Sequence, residues 1–282
     1  MKRTPKSLRK QRGFTLVEMS VSMAAAGLLF AAVSTGQELV DQAKATKFIN
    51  DIKTIEAQIQ QYAQLKGRMP GDCDADGEID YDAGKTTTQS LRDDTENNAR
   101  ASEYSYSVLL PTIPSDSSIA SAQTAGCALV GSGSGVADVA VSTSNANVWL
   151  NDLKLAGVIS DSAPNRKLAK MVNEDFAFVG SVKDLGNESA DSAYYNAIVV
   201  HNVPQWMARR LAQAVNGQDA RADRTRVRLL DRQAPNGTYS QRWQSLQTAT
   251  SAASEAMRDG MVSVVYYFDR IPESKMEIDS VN

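Results

Sequence analysis

The sequence predicts an α+β protein in which a long N-terminal α-helix, with a membrane-spanning first half, packs on a globular head that contains an antiparallel β-sheet. Three observations favour this fold. An apolar run near the N-terminus leads into a helical pattern of apolar residues that continues to residue 66. Four short segments rich in β-branched residues follow further along the chain. The chain has 282 residues, 42% of them apolar, which is enough to build a core.

The apolar run extends from Phe14 to Val33 and follows a basic leader. Residues 1–13 carry six Lys or Arg and no acid, whereas the rest of the chain has 24 basic and 33 acidic residues. As a helix, a run of this length spans about 30 Å, which matches the hydrocarbon thickness of a bilayer. Because the basic residues precede the span, we expect the N-terminus to remain cytoplasmic and the later residues to cross the membrane.

Glu18 is the one charged residue within this run. A charge inside a membrane helix costs about 2.5–3.5 kcal/mol on insertion scales, so such a residue is a functional candidate by default. The alternative without a functional role is that Glu18 lies near the helix end and its side chain reaches the lipid headgroups. The functional interpretation requires a positive partner, which cleavage between Gly13 and Phe14 would create as a new α-amino group.

Residues 13–18, Gly-Phe-Thr-Leu-Val-Glu, lie between the basic leader and the apolar run. This segment resembles the prepilin signature of type IV pilins and type II secretion pseudopilins. In that family a prepilin peptidase cleaves after the glycine and N-methylates the new terminal residue. The resemblance implies that Gly13 is the cleavage position, that Phe14 becomes the methylated terminus, and that Glu18 neutralises the amine of a neighbouring subunit during assembly.

The resemblance also implies a layout and a set of partners. Residues 1–13 would be the leader, residues 14–66 the helix with its transmembrane part at about 14–33, and residues 67–282 an extracytoplasmic head. The chain would be a single-pass inner-membrane protein with a periplasmic head before it enters a filament. Its partners would be identical or related pilin subunits through the N-terminal helix, the prepilin peptidase and an inner-membrane assembly platform.

The function implied is that of a structural subunit, without catalysis, of a type IV pilus or pilus-like filament. The head is large for a major pilin, so a minor or specialised pilin is expected. Two alternatives remain: a pseudopilin of a type II secretion system, and a calcium-dependent adhesin displayed on a filament. An ordinary signal peptide cleaved near Ala26 is disfavoured, because Glu18 would then lie within its apolar core.

The composition makes an enzyme the least favoured class. One histidine and two cysteines exclude a His-rich or four-cysteine zinc site and an iron–sulfur cluster within a single chain. A Ser-His-Asp triad would have to use His201, which lies in a strand-like run where a histidine is more often structural. No nucleophile–base pair or phosphate loop stands out.

The helical pattern continues beyond the apolar run. Its apolar residues recur at spacings of four and three, at Phe48, Ile52, Ile55, Ile59 and Tyr62. Gly67 and Pro70 then form a stop signal. The second half of the helix is therefore expected to pack on the head through this stripe.

An acidic loop follows the helix stop. Residues 72–82 contain six acids and no base, with oxygen donors at alternate positions and a glycine at position 77. This spacing is typical of loops that wrap Ca²⁺, with side chains of Asp72, Asp74 and Asp76, the Glu78 carbonyl, and closure by Asp80. Ala83 stands where an EF-hand has a bidentate Glu, so the segment looks more like the shorter DxDxDGxxD loops of extracellular proteins. The alternative is a solvated acidic turn.

The two cysteines, Cys73 and Cys127, lie in the part of the chain expected outside the cytoplasm. An oxidising compartment favours one disulfide between them. Two unpaired thiols are the alternative.

The head is predicted to alternate strands and helices. Residues 111–147, rich in Ser, Ala, Thr and Gly, are expected to form a long surface excursion. Helices are predicted over residues 148–157 and 204–215. Strands are predicted at Phe176–Val182, Ala197–Val203, Thr225–Leu230 and Met261–Phe268.

Arginines cluster around the third predicted strand. Alternation places Arg224, Arg226 and Arg228 on one face. Such a face could grip the phosphates of nucleic acid. A solvated or subunit-facing surface is the favoured interpretation, because no aromatic residues interleave with the arginines.

Overall fold

The structure is a computed structural model, and it describes residues 15–83, 104–105, 107–112, 124–127, 146–183, 193–218, 221–222, 225–230, 243 and 260–272. The chain divides into two compact units. The described residues of the first belong to Met1–Lys44, and those of the second belong to Ala45–Asn282. Most of the predicted excursion at 111–147 and one predicted basic residue, Arg224, lie outside the described residues. The fold is α+β, as predicted, with a long N-terminal helix and an antiparallel sheet in the head.

Helix α1 runs from Leu16 to Lys66. Within the second unit its apolar stripe is buried: Ala45, Phe48, Ile52, Ile55, Ile59 and Tyr62. All five predicted stripe residues are thus in the core. The helix ends where the sequence predicted, because Gly67 adopts a φ of 75° and donates its N–H to the Ala63 carbonyl at 2.8 Å.

The head contains a four-stranded antiparallel sheet with the order β1-β2-β4-β3. The strands are β1 (Ala177–Lys183), β2 (Tyr194–Pro204), β3 (Val227–Leu229) and β4 (Met261–Tyr267). All four predicted strands exist. Strand β2 starts three residues earlier than predicted, and β3 is shorter at both ends.

Both faces of the sheet are covered. On one face the Tyr266 hydroxyl accepts a hydrogen bond from Lys53 of α1 at 2.6 Å and donates one to Glu56 of α1 at 2.8 Å. On the opposite face Phe178 stacks against Tyr104 and Tyr81, with ring centroids 5.4 and 6.3 Å away. Burial on two sides explains why the centre of β2, residues 197–200, is continuously apolar rather than alternating.

The described residues of the head form three further helices. They are α2 (Val148–Leu155), α3 (Asn165–Ala169) and α4 (Gln205–Asn216). Pro204 precedes α4, and Gly217, with a φ of 78°, follows its last residue. The sequence predicted α2 and α4 to within about two residues and did not predict the single turn of α3.

The exposed arginine face predicted on β3 is wrong at Arg228, the last of its three members. Arg228 is 0% exposed, with its guanidinium 5.4 Å from the Tyr267 ring centroid and hydrogen-bonded to the carbonyls of Thr225 and Pro272. Arg226 is half-buried and donates to the Phe268 carbonyl at 2.9 Å. Chain segments around the end of β4 cover this part of the sheet. These two arginines are therefore engaged by the head itself.

The buried stripe of α1 should carry much of the stability of the head. We expect Ile59→Ala, at a side chain that is 0% exposed, to lower the free energy of unfolding by about 2–5 kcal/mol through lost burial and a residual cavity. Leu65→Ala is the matched control, because Leu65 is 60% exposed near the end of the same helix and should change stability by no more than about 0.5 kcal/mol. Denaturant unfolding of the detergent-solubilised chain, followed by tryptophan fluorescence, measures both. Equal effects would contradict the packing.

Candidate functional site: the N-terminal helix and the loop that follows it

The first unit exposes an unusual amount of apolar surface. Along α1 the large apolar side chains from Leu16, which is 86% exposed, to Phe30, which is 79% exposed, have little cover from the described residues. An 18-residue window of this helix is long and apolar enough to cross a membrane, and none of it is buried. Exposed apolar surface of this extent is typical of a segment covered by lipid or by other protein.

Glu18 caps its own helix. Its Oε2 accepts hydrogen bonds from the backbone N–H and the hydroxyl of Thr15, each at 2.9 Å, while the Thr15 hydroxyl accepts the Glu18 N–H at 3.2 Å. This reciprocal pair is a capping box, which satisfies backbone donors that a helix start otherwise leaves unpaired. The sequence predictions did not include this role, although the Thr-x-x-Glu spacing signals it. Within the described residues, Oε1 of Glu18 accepts no hydrogen bond.

Gly13 and Phe14, the predicted cleavage and methylation residues, lie outside the described residues. Their roles stay predictions. The helix begins two residues after Phe14, at Leu16.

The acidic loop brings three of its carboxylates together. Asp72, Asp74 and Asp76 each offer an oxygen within 4.8 Å of the others. Their remaining contacts shape the loop, because Asp72 Oδ2 accepts the Gly77 N–H at 3.1 Å and Asp74 Oδ1 accepts the Asp76 N–H at 3.2 Å. Gly77 has a φ of 93°, which supplies the sharp turn that the sequence predicted.

Asp72 is the buried member of this group. It is only 1% exposed, whereas Asp74 and Asp76 face solvent. Its second oxygen, Oδ1, is buried without a hydrogen-bond partner in the part of the chain that the structure describes. Burial raises the pKa of Asp72 to about 6 against the opposing hydrogen bonds from Gly77 and Ala75, and the negative charges of Asp76 and Asp74 add to the rise.

The other two predicted ligands are placed differently. Asp80 is not part of the carboxylate group, because its Oδ2 accepts the Cys73 N–H at 2.8 Å and closes the loop internally. Burial is also the main cause that raises the pKa of Asp80. Glu78 donates its backbone N–H to Asp76 Oδ1 at 2.7 Å. The structure therefore brings together the side chains of three of the four predicted aspartates, and the predicted contribution of the Glu78 carbonyl stays a prediction.

The loop is anchored to strand β2 by a single amide side chain. Asn196 accepts the Ile79 N–H at 2.9 Å and donates to the Gly77 carbonyl at 2.8 Å. Asn196 is fully buried, so these bonds replace water on both backbone groups. The sequence could not indicate this contact, because 117 residues separate Asn196 from Ile79.

A disulfide joins Cys73 in the loop to Cys127, with their Cα atoms 4.9 Å apart. This pairing agrees with the sequence prediction. Cys127 is also held by its N–H, which donates to Asp152 Oδ1 at 2.7 Å. The loop is thus tied covalently to a second segment of the head.

An ion pair between Arg68 and Asp152 lies buried beneath the loop, with Nη1 and Oδ2 3.3 Å apart. Arg68 also donates to the carbonyls of Asp72 and Cys127, and Asp152 accepts the Gly71 N–H at 3.0 Å. Burial raises the pKa of the Asp152 carboxyl, while the Gly71 hydrogen bond and the Arg68 charge oppose the rise. This network joins the end of α1, the loop and helix α2.

His201 is buried in strand β2 rather than placed at a surface cleft. A hydrogen bond of 2.8 Å joins its Nδ1 to the Ser263 hydroxyl of β4, and its ring meets Phe178 edge-on. This environment supports the structural interpretation of the histidine.

Comparison with known proteins gives one match. Residues 8–34 match the prokaryotic N-terminal methylation motif. The chain therefore carries a signature of the type IV pilin and pseudopilin type, and that class of protein is structural. No curated protein and no solved structure matches the chain.

The Arg68–Asp152 pair should be costly to break from one side. Arg68→Met would leave the Asp152 carboxylate buried without its cation, so we expect a loss of about 3–5 kcal/mol in the free energy of unfolding. Lys167→Met, at an exposed side chain, is the control and should change stability by less than about 0.5 kcal/mol. Denaturant unfolding measures both variants. A loss below about 1 kcal/mol for Arg68→Met would show that the pair contributes little.

The disulfide should stabilise the head by restricting the unfolded chain. It closes a loop of 54 residues, which corresponds to about 4 kcal/mol on the chain-entropy estimate. We expect Cys127→Ser to lower stability by that order, and mass mapping of the unreduced parent to show peptides linked through Cys73 and Cys127. Alkylation of both cysteines in unreduced, denatured protein would contradict the bond.

Proposed function

We propose that this protein is a structural subunit, a minor or specialised pilin, of a type IV pilus or pilus-like filament. In this proposal a prepilin peptidase removes the leader, and the mature chain polymerises through its N-terminal helix. The observation that carries the proposal is the methylation motif at residues 8–34, which coincides with an apolar helix left exposed by the described residues.

The exposed helix supports a membrane-anchored precursor. The leader is basic, and the apolar segment begins immediately after it, which favours a cytoplasmic N-terminus and a periplasmic head in a single-pass inner-membrane protein. Lipid would cover the apolar side chains before assembly. In a filament, the equivalent helices of identical or related subunits would cover them, and an inner-membrane assembly platform would move the subunit from one environment to the other.

The geometry of Glu18 supports a role in assembly. Thr15 occupies Oε2, and Oε1 is left without a hydrogen bond by the described residues. The carboxylate could therefore cap its own helix and still accept the methylated α-amino group of Phe14 from a neighbouring subunit. In an apolar environment an unpaired amine or carboxylate is costly, so the pairing would favour subunits in register.

A pseudopilin of a type II secretion system is the second candidate, because the N-terminal signature is common to both kinds of filament. The two candidates share every prediction about the N-terminal helix. Loss of a surface filament in a deletion strain would favour the pilus, and loss of secreted proteins would favour the pseudopilus.

The mature protein is expected to begin at Phe14 and to carry an N-methyl group. Mass spectrometry of the N-terminal peptide, from cells with and without the peptidase, measures this directly. The full leader should persist only in the absence of the peptidase. A mature terminus after Ala26 would contradict the proposal and indicate an ordinary signal peptide.

Three variants separate the two roles of Glu18. Glu18→Gln keeps a capping oxygen but removes the charge, so it should sharply reduce incorporation into filaments while processing continues. Glu18→Ala should reduce incorporation at least as much. Thr15→Ala removes the cap and keeps the charge, at a cost of about 1 kcal/mol of helix stability, so it should still assemble. Immunoblots of sheared filament fractions and of membranes measure incorporation. Assembly of Glu18→Gln at the parental level would contradict the intersubunit ion pair.

A further inference from the structure

We propose that the loop from Asp72 to Glu78 is a Ca²⁺ site, with the carboxylates of Asp72, Asp74 and Asp76 as its side-chain ligands. The site would be structural, and it does not rest on the proposed role in a filament. Three features of the loop support it: the positions of the three carboxylates, an unpaired buried oxygen, and the contacts that hold the loop in place.

The three carboxylates lie at the right separation for one ion. Oxygens bound to a single Ca²⁺ at 2.3–2.6 Å are at most about 5 Å from one another. Asp72, Asp74 and Asp76 each have an oxygen within 4.8 Å of the others. The spacing found along the sequence is therefore also a cluster in space.

The unpaired oxygen is independent evidence for a ligand. Asp72 is 1% exposed, so its Oδ1 lacks both a water shell and, within the described chain, a hydrogen-bond donor. Its Oδ2 is held by the Gly77 N–H, which restricts the rotation of the carboxylate. A buried carboxylate oxygen without a donor is costly, and a cation bound by the group would remove that cost.

The Arg68 guanidinium beneath the loop does not neutralise the Asp72 carboxylate. Arg68 donates to the backbone carbonyl of Asp72 and pairs with the carboxylate of Asp152. The side chain of Asp72 instead lies beside two further acids, Asp74 and Asp76, each with an oxygen within 4.8 Å of the others. The cluster is thus a group of acids that the Arg68 guanidinium does not neutralise, with Asp74 and Asp76 exposed to solvent.

The head holds the loop in this shape by contacts that do not involve the three carboxylates. Asn196 bonds to backbone groups of Gly77 and Ile79, and the disulfide fixes Cys73 to Cys127. Asp80 holds the Cys73 N–H. Because these contacts limit how far the acids can move apart, the ion would meet a site that is already largely formed, and binding would cost less ordering.

The donor set favours Ca²⁺ over softer metals and over Mg²⁺. All three side chains offer oxygen, and the nearby cysteines are joined in a disulfide, so they provide no thiolate. Asp74 and Asp76 are exposed, so backbone carbonyls and water would complete the six to eight ligands that Ca²⁺ takes. Mg²⁺ demands a tighter octahedron and gives up its water reluctantly. We expect an affinity typical of extracellular modules, with a Kd of about 0.1–1 mM.

The test uses the full-length chain in detergent after treatment with EDTA and dialysis. Calorimetric titration with CaCl₂ should show one saturable site, and the melting temperature should rise in millimolar Ca²⁺ relative to NaCl of equal ionic strength. MgCl₂ should give a clearly smaller rise. No saturable binding by the parent chain would overturn the proposal, whatever the variants do.

Variants then locate the ion. Asp74→Asn and Asp76→Asn change exposed side chains, so each should keep the parental circular dichroism in EDTA while losing at least about tenfold in Ca²⁺ affinity. Asp161→Asn, at an exposed acid outside the loop, is the matched control and should bind Ca²⁺ as the parent does. Saturable binding that survives both loop variants would place the ion elsewhere and overturn the assignment.

Discussion

Helix α1 imposes the main constraint on this protein, because its two halves bury apolar surface in different ways. From Ala45 onward its stripe is part of the core of the head, with Ile52 and Ile59 almost completely buried. Before Lys44, the described residues leave its large apolar side chains exposed. Exposed apolar surface of this extent is typical of a segment that lipid or other protein covers. The methylation motif at residues 8–34 overlaps the exposed half of this division.

The end of α1 is a structural junction within the head. Gly67 stops the helix, and Arg68 immediately enters the buried pair with Asp152 of α2. The acidic loop follows within the next dozen residues. The disulfide at Cys73 and the side-chain amide of Asn196 both hold this loop. Several contacts therefore hold the backbone that carries the carboxylates of Asp72, Asp74 and Asp76. An ion bound there would act on the junction between the long helix and the sheet.

Glu18 caps its helix in the structure, and the proposed function gives the same side chain a second role. The capping box with Thr15 accounts for its orientation within a single chain. A helix cap, however, requires only an oxygen acceptor, whereas the insertion of a full charge into an apolar segment requires a stronger reason. The unoccupied Oε1 is compatible with such a reason in an assembled filament. Local capping and the proposed intersubunit pairing therefore would not compete for the same oxygen.

The sequence by itself determined the features that depend on neighbours along the chain. The stripe from Phe48 to Tyr62, the helix stop at Gly67 and the existence of four strands follow from periodicity and from backbone preferences. With two cysteines in the chain, only one intramolecular disulfide was possible. The Thr-x-x-Glu spacing of the helix cap is equally local, and it was visible in the sequence although no cap was predicted from it.

Only the tertiary structure decided what depends on distant residues. Alternation placed Arg228 on an exposed face, but the segments around Thr225 and Pro272 cover it and accept its hydrogen bonds. Spacing grouped Asp80 with the three other aspartates, and only the structure shows that the Cys73 N–H donates to one of its oxygens. The strand order β1-β2-β4-β3 and the anchoring of the loop by Asn196 have no local signal. The physical reason is the same in each case: burial and hydrogen bonding depend on which segments meet in space, and a single sequence records only which residues follow one another.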